Sequence, residues 1–186
     1  MRINTIMVRL FVCIWIPEFL RDPIVKFQKK IEKLPLKAKF VEPENLHLTV
    51  TFLGDTMGDI NPLKKKLDES VKNTNKFHVK LQELKLIPNE KYIRVIGIKV
   101  ENEGKISNLI KEVAKNVGGK FYEKTKLTLC RVKKIEDKTL LQKFIADHRD
   151  IKIGTFNVES VALVKSVLTK RGPIYETIHK SLLKQS

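Results

Sequence analysis

The sequence repeats itself at a constant separation of 79 residues. Residues 47–49 read HLT and residues 126–128 read KLT, while residues 77–79 read FHV and residues 156–158 read FNV. The same separation relates two further pairs of apolar residues, Leu84 with Leu163 and Ile31 with Ile110. Several matches at one offset indicate a duplicated unit, which folds as two similar halves packed together. The second copy begins with a lysine where the first begins with a histidine.

The first copy has the alternating pattern of a β-strand with one polar face. That face is expected to carry His47, Thr49 and Thr51. The residues between them are apolar and are expected to pack against helices: Leu48, Val50 and Phe52. Across a groove between two such copies, paired imidazoles act as general acid and general base while threonine hydroxyls hold a phosphate. In this chain we expect one imidazole and the ammonium group of Lys126.

The rest of the chain alternates between strand and helix patterns. Strands are expected over residues 8–14, 77–86, 92–100 and 155–168, with a last strand beginning near Tyr175. Helices are expected from Pro23 to Leu34, from the Asn61-Pro62 start signal, from Ile106 to Gly118, and from Lys138 to Ala146. No linker separates the copies. We therefore predict an α+β fold, a single domain over residues 1–186 with two pseudo-symmetric lobes, each a mainly antiparallel β-sheet with outer helices, around a central cleft.

The charge of the chain favours a polyanionic partner. Its formal net charge is +16 over 186 residues, with 42% hydrophobic and 31% charged residues. Those fractions are typical of a soluble globular protein, and a strongly positive field attracts phosphates over long range. A single lysine run such as residues 64–66 is also typical of a surface that only confers solubility.

The cysteines and the first apolar segment favour a cytoplasmic location. Cys13 and Cys130 lie in apolar β-like segments, and two cysteines form a poor disulfide framework. Residues 7–16 are interrupted by Arg9 and lack a small-residue cleavage site, so we interpret them as a core strand rather than a signal peptide. No segment approaches the length of a transmembrane helix. We expect buried, reduced cysteines, no membrane association and a cytoplasmic protein.

Several segments together resemble one protein family. They are residues 9–12 (RLFV), 41–49 (VEPENLHLT), 52–54 (FLG), 127–133 (LTLCRVK) and the stretch from Ser166 through residues 172–175 (GPIY). They resemble the two-histidine phosphoesterase superfamily, in particular its RNA 2′,3′-cyclic phosphodiesterases, also called 2′-5′ RNA ligases. The resemblance covers nearly the whole chain from Met7 onward. Because family members often begin near Met7, residues 1–6 are expected to be an extra or flexible extension.

The resemblance implies an enzyme that hydrolyses a terminal 2′,3′-cyclic phosphate of RNA to a 2′-phosphate, without a metal or another cofactor. It implies that His47 is the acid that protonates the leaving 3′ oxygen. Thr49 and Thr128 would contact the phosphate, and Arg131 would clamp it. In the family a second histidine is the base that activates water, and Lys126 stands in its place here.

The lysine at position 126 is compatible with two chemical roles. A charged ammonium group stabilises a negative phosphate but accepts no proton from water. Burial near Arg131 would instead lower the pKa of Lys126 toward that of a base. Losing a general base typically slows catalysis by a factor of about 10²–10⁴. We expect weak hydrolysis with RNA-end binding retained; the alternatives are a catalytically impaired protein that binds RNA ends or 2′-phosphates, and a 2′-5′ RNA ligase.

The remaining candidate residues are less constrained by the sequence. Strict alternation puts Arg131 on the opposite face from Thr128, so a phosphate clamp requires the strand to end or bulge between them. The other histidines are expected outside the cleft: His78 on an exposed strand face, His148 in a solvated turn and His179 in the final strand. Tyr175 is expected either to pack or to contact a base.

Overall fold

The computed structural model describes residues 8–102, 104–122, 124–170 and 172–185. The expected extension at residues 1–6 lies outside the described residues. Within the described ranges, no helix is both long enough and apolar enough to cross a bilayer.

The described residues form nine strands and four α-helices. In chain order they are β1 Val8–Trp15, α1 Glu18–Glu32, β2 Leu36–Phe40, β3 His47–Thr56, α2 Asn61–Val71, β4 Phe77–Asn89, β5 Tyr92–Glu101, α3 Lys105–Val117, β6 Lys126–Ile135, α4 Lys138–His148, β7 Lys152–Val158, β8 Ser160–Leu168 and β9 Pro173–Leu182. A short 3₁₀ turn, Pro43–Asn45, lies one residue before β3. The hairpin of β4 and β5, the last three helices and the final strand are thereby confirmed.

The strands form one curled antiparallel sheet with two halves. The order is β7-β4-β5-β6-β3-β1-β8-β9, and β2 also pairs with β6. Among the described residues, a single Cα pair, Leu48 with Leu127, joins β3 to β6 at the centre. We call β1, β3, β8 and β9 with α2 and α3 the histidine lobe, and β2, β4, β5, β6 and β7 with α1 and α4 the lysine lobe. Helices α2 and α3 contact each other and the histidine lobe, whereas α1 and α4 contact the lysine lobe. The predicted α+β fold class is confirmed.

Strand β3 contains a bulge that changes which side chains face the cleft. Cys13 of β1 pairs with Thr49 and the neighbouring Val12 pairs with Thr51, so Val50 is an extra residue on β3. An extra residue reverses the alternation beyond it. Thr51 is consequently fully buried on the helix side. Its hydroxyl lies 3.1 and 3.2 Å from the carbonyl oxygens of Gly118 and Lys120, which follow α3. The prediction that Thr51 shares the face of His47 is wrong.

The reversal brings Phe52 to the cleft face instead. Its side chain is 44% exposed and lines the cavity between the lobes. The prediction that Phe52 packs against the helices is wrong for the same reason. Nothing in the alternation of the sequence marks the extra residue, because Val50 itself is apolar and buried.

Strand β6 contains the corresponding bulge. Gly97 of β5 pairs with Thr128 and Ile96 pairs with Cys130, so Leu129 is the extra residue. Val50 and Leu129 are separated by the same 79 residues as the two sequence copies. The duplicated unit therefore includes the irregularity of its strand as well as its sequence.

Two boundaries differ from the sequence predictions. Helix α1 begins at Glu18 rather than at Pro23, which lies inside it, because Leu20 extends the buried stripe by one turn. Proline in a helix removes one backbone hydrogen bond but does not prevent the flanking turns from packing. Residues 155–168 belong to two strands rather than one. The chain leaves the lysine lobe at the end of β7 and enters the histidine lobe with β8, and the single residue Glu159 separates the two strands.

The core follows from the apolar faces of these elements. One continuous cluster of buried apolar side chains lies between the sheet and the helices of both lobes. Cys13 and Cys130 are free and buried, as predicted, and burial raises the pKa of both thiols, that of Cys130 to about 12. Thiols with such pKa values stay protonated and unreactive.

Candidate active site

The cavity between the two lobes contains four of the five site residues expected from the sequence. It has a volume of about 240 Å³, and its walls include His47, Thr49, Thr128 and Arg131. A larger hollow of about 460 Å³ lies beside Trp15, but its walls contain none of these four among the described residues. The chemistry of the lining, rather than the volume, identifies the smaller cavity as the candidate site.

The register of β3 and β6 places the residues of the two repeated motifs side by side. Because Leu48 pairs with Leu127 in antiparallel order, His47 lies opposite Thr128 and Thr49 lies opposite Lys126. The Thr125 hydroxyl reinforces this contact by donating to the Thr49 carbonyl at 3.0 Å. Opposite residues of paired strands share a face of the sheet.

Lys126 therefore lies on the cleft face, beside Thr49 and diagonal to His47. Its side chain is partly buried, yet it is not among the described residues that form the walls of the 240 Å³ cavity. Burial lowers the pKa of Lys126, and the positive charges of Arg131 and Lys85 lower it further. The direction of this shift is the one that a lysine base requires.

A hydrogen bond to a main-chain carbonyl fixes the ring of His47. Its Nδ1 lies 2.7 Å from the carbonyl oxygen of Asn45, an acceptor, so Nδ1 carries the proton and Nε2 is the nitrogen available to a ligand. The side-chain amide of Asn45 donates to Glu42 and to the carbonyl of Pro173, both at 3.3 Å. Asn45 thus joins the 3₁₀ turn to β9 through its side chain, while its carbonyl orients the imidazole.

The pKa of His47 lies below its usual value near 6.5. Burial is the main cause, the bond to Asn45 opposes it, and the positive charge of Arg131 lowers the pKa further. The resting imidazole is therefore neutral at neutral pH. An anionic phosphate bound beside it would raise the pKa again, because an opposite charge favours the protonated form.

An aromatic wall surrounds His47 on the side of the histidine lobe. The ring centroids of Phe11, Trp15 and Tyr175 lie 5.2, 5.8 and 5.6 Å from that of His47. Trp15 is itself held by a 3.0 Å hydrogen bond from its indole nitrogen to Thr177. Phe11 and Trp15 were not expected beside His47 from the sequence, although both follow the alternation of β1, whose other face is the core. Tyr175 packs on the imidazole and also lines the cavity.

Arg131 reaches the cleft because of the bulge at Leu129. The extra residue reverses the alternation, so that Thr128 and Arg131 both line the cavity although they are three residues apart. The requirement for a bulge between them is therefore met. Arg131 occupies the place in β6 that Phe52 occupies in β3, and the 79-residue separation of the copies was the signal in the sequence that could have identified Phe52.

The other histidines lie elsewhere. His179 contacts the Asp68 carboxylate of α2 at 2.8 Å, and His78 is exposed on β4. His148 was expected in a solvated turn, but it ends α4 and stacks on Phe144 with a centroid separation of 4.2 Å. Within the described residues, no cluster of three or more histidine, cysteine or acidic side chains is arranged to hold a metal ion.

Comparison with known proteins gives a consistent family assignment. The family described as LigT like Phosphoesterase matches residues 14–97, a range that includes His47 but ends before β6. An RNA 2′,3′-cyclic phosphodiesterase of Methanocaldococcus jannaschii is 37% identical over 175 residues, which cover 91% of this chain and 98% of that protein. One of Aquifex aeolicus is 33% identical, covering 95% of this chain and 97% of that protein.

A solved structure shares the whole architecture. A crystal structure of a Thermus thermophilus protein superposes with a TM-score of 0.75 at 27% identity, covering 96% of this chain and 99% of that one. The similarity therefore extends over both lobes, beyond the residues matched by the family.

Proposed function

Because the chain belongs to the LigT like phosphoesterase family, a family of hydrolases, we propose that it hydrolyses the terminal 2′,3′-cyclic phosphate of RNA to a 2′-phosphate. The observation that carries this proposal is the grouping of His47, Thr49, Thr128 and Arg131 around one cavity between the lobes. The names of the relatives and the charge of +16 support an RNA end as the substrate. The expected place of action is the cytoplasm.

The proposed reaction is an attack of water on the cyclic phosphate. The oxygen of water bonds to phosphorus, the bond from phosphorus to the 3′ oxygen breaks, and the 3′ oxygen takes a proton while the water loses one. Nε2 of His47 supplies the proton to the 3′ oxygen from the imidazolium form, which the bound phosphate favours, while Nδ1 stays bonded to the carbonyl of Asn45. Thr49 and Thr128 donate to the non-bridging oxygens, and Arg131 stabilises the added negative charge.

The residue that should accept the proton of the attacking water is the one at which this chain differs from the family pattern. Lys126 lies where the second copy would place the base, and its pKa is lowered by burial and by two neighbouring cations. The bound phosphate acts in the opposite direction, because an anion favours the charged ammonium. Lys126 therefore stabilises the phosphate better than it accepts a proton, and we expect turnover to be slow.

A second function follows from the same observation about Lys126. A protein with a charged lysine in place of the base would hold RNA 2′-phosphate or cyclic-phosphate ends with little or no turnover. The position of Lys126 beside the cavity, rather than in its wall, favours this alternative. Formation of a 2′-5′ RNA linkage, in which a 5′-hydroxyl replaces water, requires that two ends are held together.

Incubation of the protein with a short RNA that ends in a 2′,3′-cyclic phosphate separates these functions. The expected product is a 2′-phosphate, identified by its chromatographic difference from the 3′-phosphate. His47→Ala, with an unchanged thermal unfolding curve, serves as the inactive control. Turnover above that control supports the hydrolase, whereas binding of the RNA end without turnover at high protein concentration supports the binding protein.

A further inference from the structure

Strands β5 and β6 separate at the edge of the cleft. Their pairing reaches Val95 with Arg131, and in the described residues beyond that pair β5 is paired with β4 and β6 with β2. The two diverging strands enclose a hollow of about 210 Å³. The hollow and the candidate active site have no described lining residue in common, but they are adjacent along β6, where Arg131 lines the active-site cavity and the next residue, Val132, lines the hollow.

The walls of this hollow are strongly basic. Five of its lining side chains are cationic, and we call them the basic fork: Lys91, Arg94, Lys133, Lys134 and Lys138. Two of the three nearby carboxylates are engaged outside the fork, and the third makes long contacts with one fork lysine and with Lys37. Glu90 pairs with Arg149 at 2.7 Å and Asp137 caps α4 by accepting from a backbone N–H at 3.0 Å, while Glu136 is 3.9 Å from Lys134 and 4.0 Å from Lys37. Exposed contacts as long as those of Glu136 neutralise little charge.

The same place in the histidine lobe is closed and neutral. There β1 and β3 stay paired as far as Val8 with Thr56, and Arg9 of β1 forms a 3.1 Å ion pair with Asp55 of β3. The separation of 79 residues puts Lys134 at the place of Asp55. The lysine lobe thus replaces an ion pair between strands with like charges, which repel each other unless an anion lies between them.

An exposed aromatic ring lies at the mouth of the fork. The side chain of Tyr92 is 58% exposed, and the guanidinium carbon of Arg94 lies 5.6 Å from the centre of its ring. A ring beside a row of cations is the combination that binds single-stranded nucleic acid, because the bases stack on the ring while the cations contact the phosphates.

We propose that the basic fork binds the body of a single-stranded RNA whose terminal phosphate lies in the cleft. This inference rests on the proposed function, since it assigns a path to the nucleotides that precede the reacting end. Along β6, Lys133 follows Arg131 by two residues, about 6.5 Å. Both residues are exposed, and Lys133 is an extra residue of β6 in its pairing with β2. A chain whose last phosphate contacts Arg131 therefore places its preceding phosphates beside Lys133 and the rest of the fork.

The test compares two substrates of different length. One is a nucleoside 2′,3′-cyclic monophosphate, and the other is an unstructured RNA of about eight nucleotides with the same cyclic end. The fork variant is Lys133→Ala with Lys134→Ala, and the matched control is Lys65→Ala with Lys66→Ala on α2 in the other lobe. The measured quantity is the ratio of kcat/KM for the oligonucleotide to kcat/KM for the mononucleotide.

The expected result is a ratio that falls by about tenfold in the fork variant and stays at the wild-type value in the control. The slope of log KM for the oligonucleotide against log salt concentration should fall by about 1.4, since each phosphate contact on a single strand contributes about 0.7. An unchanged ratio in the fork variant, or an equal fall in the control, overturns the proposal. If the kcat/KM ratio for a blunt RNA duplex falls equally in the fork variant, the proposal that the fork binds single-stranded RNA is wrong.

If the proposed hydrolase function is wrong, the same experiment gives a different result. In that case the wild-type protein turns over neither substrate, and the fork is tested by binding alone. Fluorescence anisotropy with the oligonucleotide carrying a 2′-phosphate end should then show about a tenfold weaker Kd for the fork variant than for the control. Equal Kd values for the two variants overturn the proposal in that case as well.

Discussion

Strands β3 and β6 have the same frame and present different side chains to the cleft. Both carry a bulge at matching positions, Val50 and Leu129, and both place a threonine on the cleft face just before it. The residue two places before the threonine is His47 in β3 and Lys126 in β6. The duplication therefore preserves backbone geometry, while the side chains at equivalent positions differ in chemistry.

The residues after the bulges divide the cleft in the same way. Phe52 in β3 continues an aromatic wall that surrounds a neutral imidazole. Arg131 in β6 begins a cationic surface that extends to the basic fork. We infer that the histidine lobe provides proton transfer and aromatic stacking, whereas the lysine lobe binds phosphate. Substitutions on the two strands test this division.

His47→Ala is expected to have the largest effect. Removing a general acid typically slows turnover by about 10²–10⁴. The measurement is the rate of 2′-phosphate formation from a cyclic-phosphate RNA, with far-UV circular dichroism to confirm the fold. If His47→Ala keeps more than about a tenth of the wild-type rate, His47 is not the acid and the proton role of the histidine lobe is refuted.

Arg131→Ala is expected to weaken binding of RNA that ends in a 2′-phosphate. A hydrogen bond to a charged group contributes about 1.5–3 kcal/mol, which is a loss of roughly 10- to 150-fold in Kd. RNA that ends in a hydroxyl should lose much less. The matched control is Phe52→Ala at the equivalent position of β3, which should affect both ends alike; the division between lobes is wrong if Arg131→Ala also does so.

Lys126→His is expected to raise turnover by about tenfold or more. A histidine there would have a pKa near 6.5, be mostly neutral at pH 7.5 and accept the proton of water. The measurement is kcat for the cyclic-phosphate RNA. The double variant with His47→Ala should lose the gain, because acid and base serve one step. A flat or lower rate in folded Lys126→His would show that lysine is either the working residue or irrelevant.

The sequence was sufficient for the family, the fold class and the position of most elements. The 79-residue repeat correctly related β3 to β6, because duplicated strands keep the same buried pattern. It did not reveal the bulges, since Val50 and Leu129 are apolar like their neighbours and their extra length shows only in the pairing with β1 and β5. Thr51 and Phe52 were therefore assigned to the wrong faces.

The break between β7 and β8 could not be predicted for a related reason. Residues on both sides of Glu159 are strand formers, and only the pairing shows that they belong to different lobes. The aromatic wall was missed because apolar residues on β1 are typical of a core. Its contact with His47 depends on the pairing of β1 with β3 and β8, which are distant in sequence.

The pH dependence distinguishes an acid from a base at His47. Burial lowers its pKa below 6.5, so the free protein carries neutral imidazole at pH 7. An acid must be protonated, so kcat/KM should rise as the pH falls from 8 toward that pKa, by up to about tenfold per pH unit. A rate that stays constant from pH 8 down to that pKa and falls below it would assign His47 as the base, and it would leave Lys126 the role of a phosphate contact.

Thr51→Val is expected to have the smallest effect and to act on stability alone. The hydroxyl of Thr51 is buried, and it donates toward the carbonyl oxygens of Gly118 and Lys120 at 3.1 and 3.2 Å. Its loss leaves these acceptors without that donor and should lower the free energy of unfolding by about 1–2 kcal/mol, measured by urea denaturation. Thr49→Val, two residues earlier but before the bulge, should do the opposite: it weakens phosphate binding and changes stability little. If Thr51→Val reduced the affinity for a 2′-phosphate end as much as Thr49→Val, Thr51 would lie in the cleft, and the bulge at Val50 would not separate the two faces of β3.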